Sequence, residues 1–198
     1  MSVITSPNAV RDTVPALTTD FSVADPAPLG LAAFALTTFV LSSVNAGLIP
    51  KGAEPVVLGL AAAYGGLAQF CAGMWEFRRN NTFGATAFTS YGAFWISFAL
   101  LVTFYAGKLT PDAVPAALGI FLFAWGIFTA YMTYAAIAVS RPVMVVFALL
   151  TPTFFLLAAG AYLSQHGITV LGGYFGLATA IAAWYASAKG VFAATIKR

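Results

Sequence analysis

The chain has 198 residues, of which 61% are hydrophobic and only 8% are charged. Globular proteins are about 45–50% apolar and about 25% charged. A soluble fold of this length could not bury so much apolar surface, so the composition predicts an integral membrane protein. The formal net charge of +3 comes from few charged residues, and no basic patch is interleaved with aromatic residues, so nucleic acid is not an expected partner.

The first 24 residues are polar and differ sharply from the rest of the chain. Ser, Thr, Pro and Asp are frequent, and prolines interrupt the segment before any continuous apolar core can form. A signal peptide needs such a core. We therefore predict a flexible cytoplasmic tail.

A capped helix entrance follows this tail. Proline fixes φ, lacks an N–H group and biases the preceding residue away from helix. Pro28 suits the first helical turn, where its missing donor costs nothing, and Asp25 can accept from the free N–H groups of that turn. The entrance consists of Asp25, Pro26, Ala27, Pro28, Leu29, Gly30 and Leu31.

Six apolar stretches are long enough to cross a bilayer, whose core of about 30 Å requires about 20 apolar residues per helix. They run approximately over residues 28–48, 55–77, 85–107, 113–138, 143–163 and 168–190. The alternating hydrophobicity of a membrane barrel is absent. We therefore predict an all-α, six-transmembrane-helix bundle, with a tail over 1–24, a transmembrane domain over 25–192 and a short basic tail over 193–198.

The basic residues predict the orientation, because Lys and Arg are enriched in cytoplasmic loops. With six spans both termini lie on one side, and seven basic residues fall on that side against two on the other. Both termini are therefore expected in the cytoplasm. The seven are Arg11, Arg78, Arg79, Arg141, Lys189, Lys197 and Arg198, and the two are Lys51 and Lys108.

A partial repeat relates the first and fourth predicted helices. Residues 26–39 and 115–128 match at seven of fourteen positions, at a constant offset of 89. These helices would cross the membrane in opposite directions, which indicates an inverted repeat of three plus three helices, as in many transporters. Chance matches are frequent in Ala-, Leu- and Phe-rich sequence, and the other helix pairs show no comparable match.

The first helix carries polar side chains on an otherwise apolar surface. Phe34, Thr38, Leu41 and Asn45 share one face, at spacings of four, three and four residues, and Thr37 flanks it. Hydroxyl and amide groups are disfavoured against lipid unless they find partners. They form hydrogen bonds between helices, bond the backbone of their own helix, or line a polar path.

The second helix adds an amide near mid-membrane and a carboxylate near one end. Gln69 should face protein or water rather than lipid. Glu76 lies beside Arg78 and Arg79. A structural ion pair is the favoured role for Glu76, and a place in an entrance vestibule is the alternative.

The third helix carries an aromatic stripe formed by Tyr91, Phe94, Trp95 and Phe98. Such stripes usually serve packing, but the hydroxyl of Tyr91 needs a partner when it is buried. Thr82 is the predicted N-cap of this helix.

The sixth helix repeats small residues at Gly172, Gly176 and Ala180. This seam favours close helix contact, either within the subunit or between subunits.

Signatures of catalysis are missing from the sequence. The one cysteine, Cys71, lies in an apolar segment, and the one histidine, His166, lies in a loop. An intramembrane hydrolase would need a nucleophile and a base together, and no such pair is present. We expect no enzyme activity, no metal site and no cofactor.

Two motifs carry a family resemblance. Residues 25–31 (DPAPLGL) are similar to the Asn-Pro-Ala-Pro-Leu-Gly-Leu signature of the acetate uptake transporter family, the succinate–acetate permease group. The segments 64–76 (YGGLAQFCAGMWE) and 81–95 (NTFGATAFTSYGAFW) resemble the pattern of the same family closely. The resemblance covers about residues 29–190.

The resemblance implies six helices per subunit, a homo-hexameric ring and a separate pathway through each subunit in the cell membrane. It implies acetate and related small monocarboxylates as substrates, with succinate as a further candidate. It also implies a pore constriction formed by Phe34, Tyr91 and, without a motif to anchor it, Leu150. The implied substrate contacts are Thr37, Thr38 and Gln69, to which the polar face of the first helix adds Asn45.

One residue departs from the signature, because Asp25 stands where the family has Asn. Its charge at a helix N-terminus would weaken anion binding there. Alternatively, Asp25 points to solvent or pairs with a basic residue, and function is unchanged. The middle of the spans holds no charged residue, which leaves an anion channel and proton-coupled uptake both open. The alternative to transport is a non-conducting membrane scaffold or sensor that keeps the same fold.

Overall fold

The computed structural model describes residues 23–196, and within that range it contains helices and turns but no strands. The prediction of an all-α bundle with six membrane spans is confirmed. Most of the predicted N-terminal tail lies outside the described residues, as do Arg11, Lys197 and Arg198. The predicted orientation and the inverted repeat stay predictions.

Six spans are long and apolar enough to cross a membrane, and each corresponds to a predicted stretch. They are span 1 (Ala27–Asn45), span 2 (Lys51–Arg78), span 3 (Thr82–Lys108), span 4 (Val114–Ala136), span 5 (Arg141–Tyr162) and span 6 (His166–Ile196). Span 6 exceeds its prediction by two residues at its start and six at its end, and the predicted boundary before residue 193 falls inside its helix. The prediction that His166 lies in a loop is wrong, because this helix begins at His166.

Spans 2 and 3 are not uniform α-helices. Span 2 has α-helical parts at Pro55–Ala62 and Gln69–Arg78, joined by a π-helical segment at Ala63–Ala68. Span 3 is α-helical over Thr82–Leu100, then π-helical over Leu101–Tyr105. Short π-helical segments inside α-helices are frequent at functional sites, and the sequence analysis did not predict them.

The spans alternate in direction, which gives the bundle two faces. We call the face that carries residues 23–26, 79–81 and 137–140 the N-terminal face. The opposite face carries residues 46–54, 109–113 and 163–165. Spans 1, 3 and 5 therefore run from the N-terminal face to the opposite face.

The helix starts on the N-terminal face are capped by short polar side chains. The backbone N–H of Ala27 donates to Asp25 Oδ1 at 3.1 Å, as predicted. The N-cap of span 3 is Asn81, whose Oδ1 accepts from the backbone N–H of Gly84 at 3.1 Å. The prediction of Thr82 as this cap is wrong by one residue, because the more effective Asn stands directly before it.

The spans form a closed ring in which most neighbours pack backbone to backbone. Span 1 packs on span 6, span 6 on span 5 and span 5 on span 4, while span 2 packs on spans 3 and 1. Spans 3 and 4 approach each other at few backbone positions. Aromatic side chains fill that gap, as Phe94 lies 5.1 Å from Trp125 and 5.8 Å from Phe121 between ring centroids.

Glycines bring the other neighbouring spans close together. A Cβ at Gly65 of span 2 would lie 2.8 Å from Cβ of Thr37 on span 1. A Cβ at Gly173 of span 6 would lie 2.7 Å from the carbonyl carbon of Asn45. Gly172 and Gly176 face Leu157 and Ser42 of the same chain, so the small-residue seam of span 6 serves packing within the subunit.

We predict that Gly173→Ala destabilises the bundle, because its new Cβ would meet the backbone of span 1 rather than a movable side chain end. Overpacking of this kind costs about 1–3 kcal/mol. Thermal unfolding in detergent measures the loss. The matched control is Gly59→Ala in span 2, where nothing lies within 4 Å of the new Cβ, and equal midpoints for the two variants would contradict the close packing of spans 1 and 6.

Candidate functional site

A cavity of about 670 Å³ opens on the opposite face and extends into the bundle between spans 1, 3, 4 and 5. The first residues of span 6 and the loop after span 1 complete its wall. The mouth carries the charged side chains Lys51 and Glu54 and the imidazole of His166. Below the mouth the wall is uncharged, so a solute that goes deeper meets only apolar, hydroxyl, amide, indole and backbone groups.

Apolar side chains close the deep end of this cavity. The lining residue nearest the N-terminal face is Phe34 on span 1, Phe94 on span 3, Leu122 on span 4 and Leu150 on span 5. Phe34 is 4% exposed and Leu150 is 3% exposed. We call this layer the cavity floor.

Tyr91 lies beside Phe34 at the floor, one turn of span 3 further from the mouth than Phe94 and Trp95. It is not among the lining residues, but its ring centroid lies 5.6 Å from that of Phe34. Its hydroxyl and that of Thr129 on span 4 are 2.9 Å apart, so the predicted need for a partner is met. On span 5 the Tyr91 ring packs against Phe147 and Phe154, at 5.9 and 6.5 Å between ring centroids, and Leu150 stands between these two residues along the helix. Phe34, Tyr91 and Leu150 therefore lie at about one level of the bundle.

The predicted substrate contacts divide into two groups. Thr38 and Asn45 line the cavity, one turn and three turns above Phe34. Thr37 points elsewhere, because its hydroxyl donates to the carbonyl oxygen of Ala33 at 2.9 Å and its side chain packs on Gly65. Gln69 is 1% exposed and lies outside the cavity lining.

Gln69 is held by the irregular part of span 2. It directly follows the π-helical segment Ala63–Ala68, and its Oε1 is buried without a protein partner. Gly65, four residues earlier, faces span 1 at Thr37. The amide therefore lies in the interior below the level of Thr37, on the side of the N-terminal face, apart from the cavity.

Polar contacts on the N-terminal face join three spans. Asp25 forms a salt bridge and a hydrogen bond with Arg79. Glu76 is fully buried and its Oε2 accepts from Nδ2 of Asn81 at 2.9 Å. The favoured ion pair of Glu76 with Arg78 or Arg79 is wrong, because among the described residues Arg79 pairs with Asp25 and Glu76 bonds an amide.

Sequence reasoning missed two contributors to the site. Thr129, which holds the Tyr91 hydroxyl, is the first polar residue of the long apolar helix that forms span 4. Thr153 lines the cavity and its hydroxyl donates to the carbonyl oxygen of Leu149 at 2.8 Å. A polar residue within a long apolar helix is the one signal that could have selected them. The residues from 23 to 196 contain no cluster of side chains suited to a metal ion.

Six apolar spans around a solute-sized cavity with a closed floor define a multi-pass membrane protein. The chain belongs to the GPR1/FUN34/yaaH family, whose model matches residues 12–197. The family resemblance is thereby confirmed.

Several relatives bear the names of transport proteins. The chain is 42% identical over 185 residues to acetate permease A of Emericella nidulans, a match that covers 85% of this chain and 61% of the permease. It is 37% identical over 163 residues to the succinate-acetate/proton symporter SatP of Escherichia coli, over 82% of this chain and 86% of SatP. The structure of the bacterial acetate channel SatP superimposes with a TM-score of 0.83 at 36% identity, over 89% of this chain and 96% of the channel.

The length of the match differs among these relatives. This chain spans 61% of the length of the Emericella permease and of a second fungal relative from Saccharomyces cerevisiae.

We predict that Asp25→Asn leaves the start of span 1 intact, because Asn also caps helices, while it removes the charge that holds Arg79. Exposed ion pairs contribute about 0.2–1 kcal/mol and are screened by salt. The variant should therefore unfold at a slightly lower temperature at low salt and match the original chain at high salt. Arg79→Gln should lower the unfolding temperature at low salt by a similar amount, and the double variant should lower it no further than either single variant. Additive decreases would show that the two side chains act separately.

Proposed function

We propose that this protein carries acetate and related small monocarboxylates across the cytoplasmic membrane, with a separate narrow pathway in each subunit. The observation that carries the proposal is the cavity, which leads from one membrane face to an apolar floor and holds polar groups but no charge in its deep part. Relatives named acetate permease, succinate-acetate/proton symporter and acetate channel support the choice of substrate class.

The proposed constriction consists of Phe34, Tyr91 and Leu150. Phe34 and Leu150 line the deep end of the cavity, and the ring of Tyr91 packs on Phe34 and is held in place by Thr129. Passage then requires the Phe34 and Leu150 side chains to move, while Tyr91 stays fixed by its hydrogen bond. Thr38 and Asn45 are the proposed contacts before the constriction, and Gln69 is the proposed contact after it. Thr37 is not proposed as a contact, because its hydroxyl donates within span 1 and its side chain packs on Gly65 of span 2.

Affinity for acetate must be low on this proposal. Acetate has four heavy atoms, and the best small ligands gain about 1.5 kcal/mol per atom. The ceiling of about 6 kcal/mol corresponds to a dissociation constant of roughly tens of micromolar. A wall without fixed charge should bind more weakly still, and weak binding allows the solute to leave again.

The N-terminal face is proposed to lie in the cytoplasm, so that the cavity opens to the outside. Arg78, Arg79, Arg141 and Lys189 support this orientation by the positive-inside rule.

The proposed oligomer is a homo-hexamer, as the family resemblance implies, and it would cover part of the apolar outer surface. Native mass spectrometry that finds only single chains would contradict the hexamer. The proposed domain division keeps the tails 1–24 and 193–198 outside the transport domain.

We predict that the purified protein in liposomes gives acetate flux above that of protein-free liposomes. Leu150→Ala and Phe34→Ala should raise flux several-fold and admit longer carboxylates such as butyrate, because they open the narrowest layer. Leu149→Ala and Phe39→Ala are matched controls on the same spans, outside the cavity lining, and should leave chain-length selectivity unchanged.

The same assay decides between the remaining mechanisms. Flux that follows membrane voltage indicates an anion channel, whereas flux that follows the proton gradient indicates proton-coupled uptake. Background flux from the original chain and from both constriction variants would instead support a membrane scaffold or sensor. Enzyme activity is not proposed.

A further inference from the structure

Two buried hydrogen-bond donors in the cavity wall have no partner among residues 23–196. They are Nε1 of Trp95 and Oγ1 of Thr38, and both residues line the cavity. Trp95 is 2% exposed and Thr38 is 5% exposed. Buried polar groups are almost always paired, and a donor left unpaired costs about 1–3 kcal/mol.

These two residues lie at the same level of the bundle. Spans 1 and 3 run in the same direction, and Phe34 and Tyr91 are in contact across them. Thr38 follows Phe34 by four residues and Trp95 follows Tyr91 by four, so each stands one turn, or about 6 Å, nearer the mouth. The unpaired donors therefore flank the position directly above the constriction.

Neighbouring groups give Trp95 no partner. Its ring packs edge-on against Phe94 and Phe98, with centroids 5.0 and 6.1 Å away. An indole N–H can only donate, so it would select an acceptor. Thr37 differs from Thr38 in this respect, because its hydroxyl already donates within span 1.

We propose that the Trp95 indole N–H and the Thr38 hydroxyl together receive the carboxylate group of the permeating solute on the outer side of the constriction. The two donors are covered in the closed state, and movement of the Phe34 side chain would uncover them as the solute arrives. A carboxylate has two acceptor oxygens and forms strong hydrogen bonds. The solute would then satisfy donors that are unpaired in its absence, which favours the open arrangement.

This inference rests on the proposed function. The test compares acetate flux into liposomes for Trp95→Phe, which keeps an aromatic ring and removes the N–H group. The half-saturating acetate concentration should rise about tenfold, a change that corresponds to about 1.4 kcal/mol. Trp184→Phe is the matched control, because Trp184 packs on Phe39 outside the cavity lining and should keep the original value.

Variants at Thr38 separate a hydrogen bond from packing. Thr38→Val removes the hydroxyl at nearly constant shape and should also raise the half-saturating concentration, whereas Thr38→Ser keeps the hydroxyl and should restore it. An unchanged value in Trp95→Phe and Thr38→Val, with normal flux, would overturn the inference and leave the proposed function standing. Absence of flux from the original chain would instead overturn the proposed function.

A binding measurement on the unsubstituted chain covers the case in which Trp95→Phe does not fold. The chain has four tryptophans, so a protein labelled with 5-fluorotryptophan gives four fluorine resonances. The resonance of Trp95 is the one that is present in all three single variants Trp75→Phe, Trp125→Phe and Trp184→Phe. Acetate should shift this resonance. If that resonance stays fixed as acetate is raised to the concentration that saturates flux, Trp95 does not receive the carboxylate.

Discussion

The close approach of neighbouring helices at glycine is the constraint on which the rest of this structure depends. Gly65 brings span 2 close to Thr37 of span 1. Gly173 brings span 6 close to Asn45, the last residue of span 1, and to Ala46 directly after it. In a membrane no hydrophobic force drives helices together, so contact between small residues has to supply the association. Span 1 is thereby fixed from two sides, and its remaining face turns towards the interior.

Spans 3 and 4 are the neighbouring pair that does not approach closely at a glycine. Spans 3 and 4 are separated by the rings of Phe94, Phe121 and Trp125, and the cavity lies in the space that this separation leaves. The aromatic rings around Tyr91 close it below. The spans are held together by close contacts at glycine, and the interior is closed by aromatic side chains. The narrowest layer of the resulting pathway therefore has no charged group. Such a pathway suits a small solute that must not bind tightly.

Much of this architecture could be predicted from the sequence, because length and apolar composition determine the spans. The helical spacing of Phe34, Thr38 and Asn45 correctly indicated one face, and all three residues line the cavity. Spacing alone could not exclude Thr37, whose hydroxyl bonds its own helix. The π-helical segments, the pairing of Arg79 with Asp25 and the contact of Tyr91 with Thr129 depend on neighbouring spans. No local pattern determines them.

The cavity is open to one side of the membrane and ends at the layer of Phe34 and Leu150. Cysteine accessibility checks this closure in a Cys71→Ser background, because Cys71 is exposed. Asn45→Cys and Leu41→Cys should react with a membrane-impermeant thiol reagent added outside cells, while Leu31→Cys, one turn below Phe34 and buried, should stay protected. Reaction of Leu31→Cys as fast as that of Leu41→Cys would contradict a closed floor at Phe34.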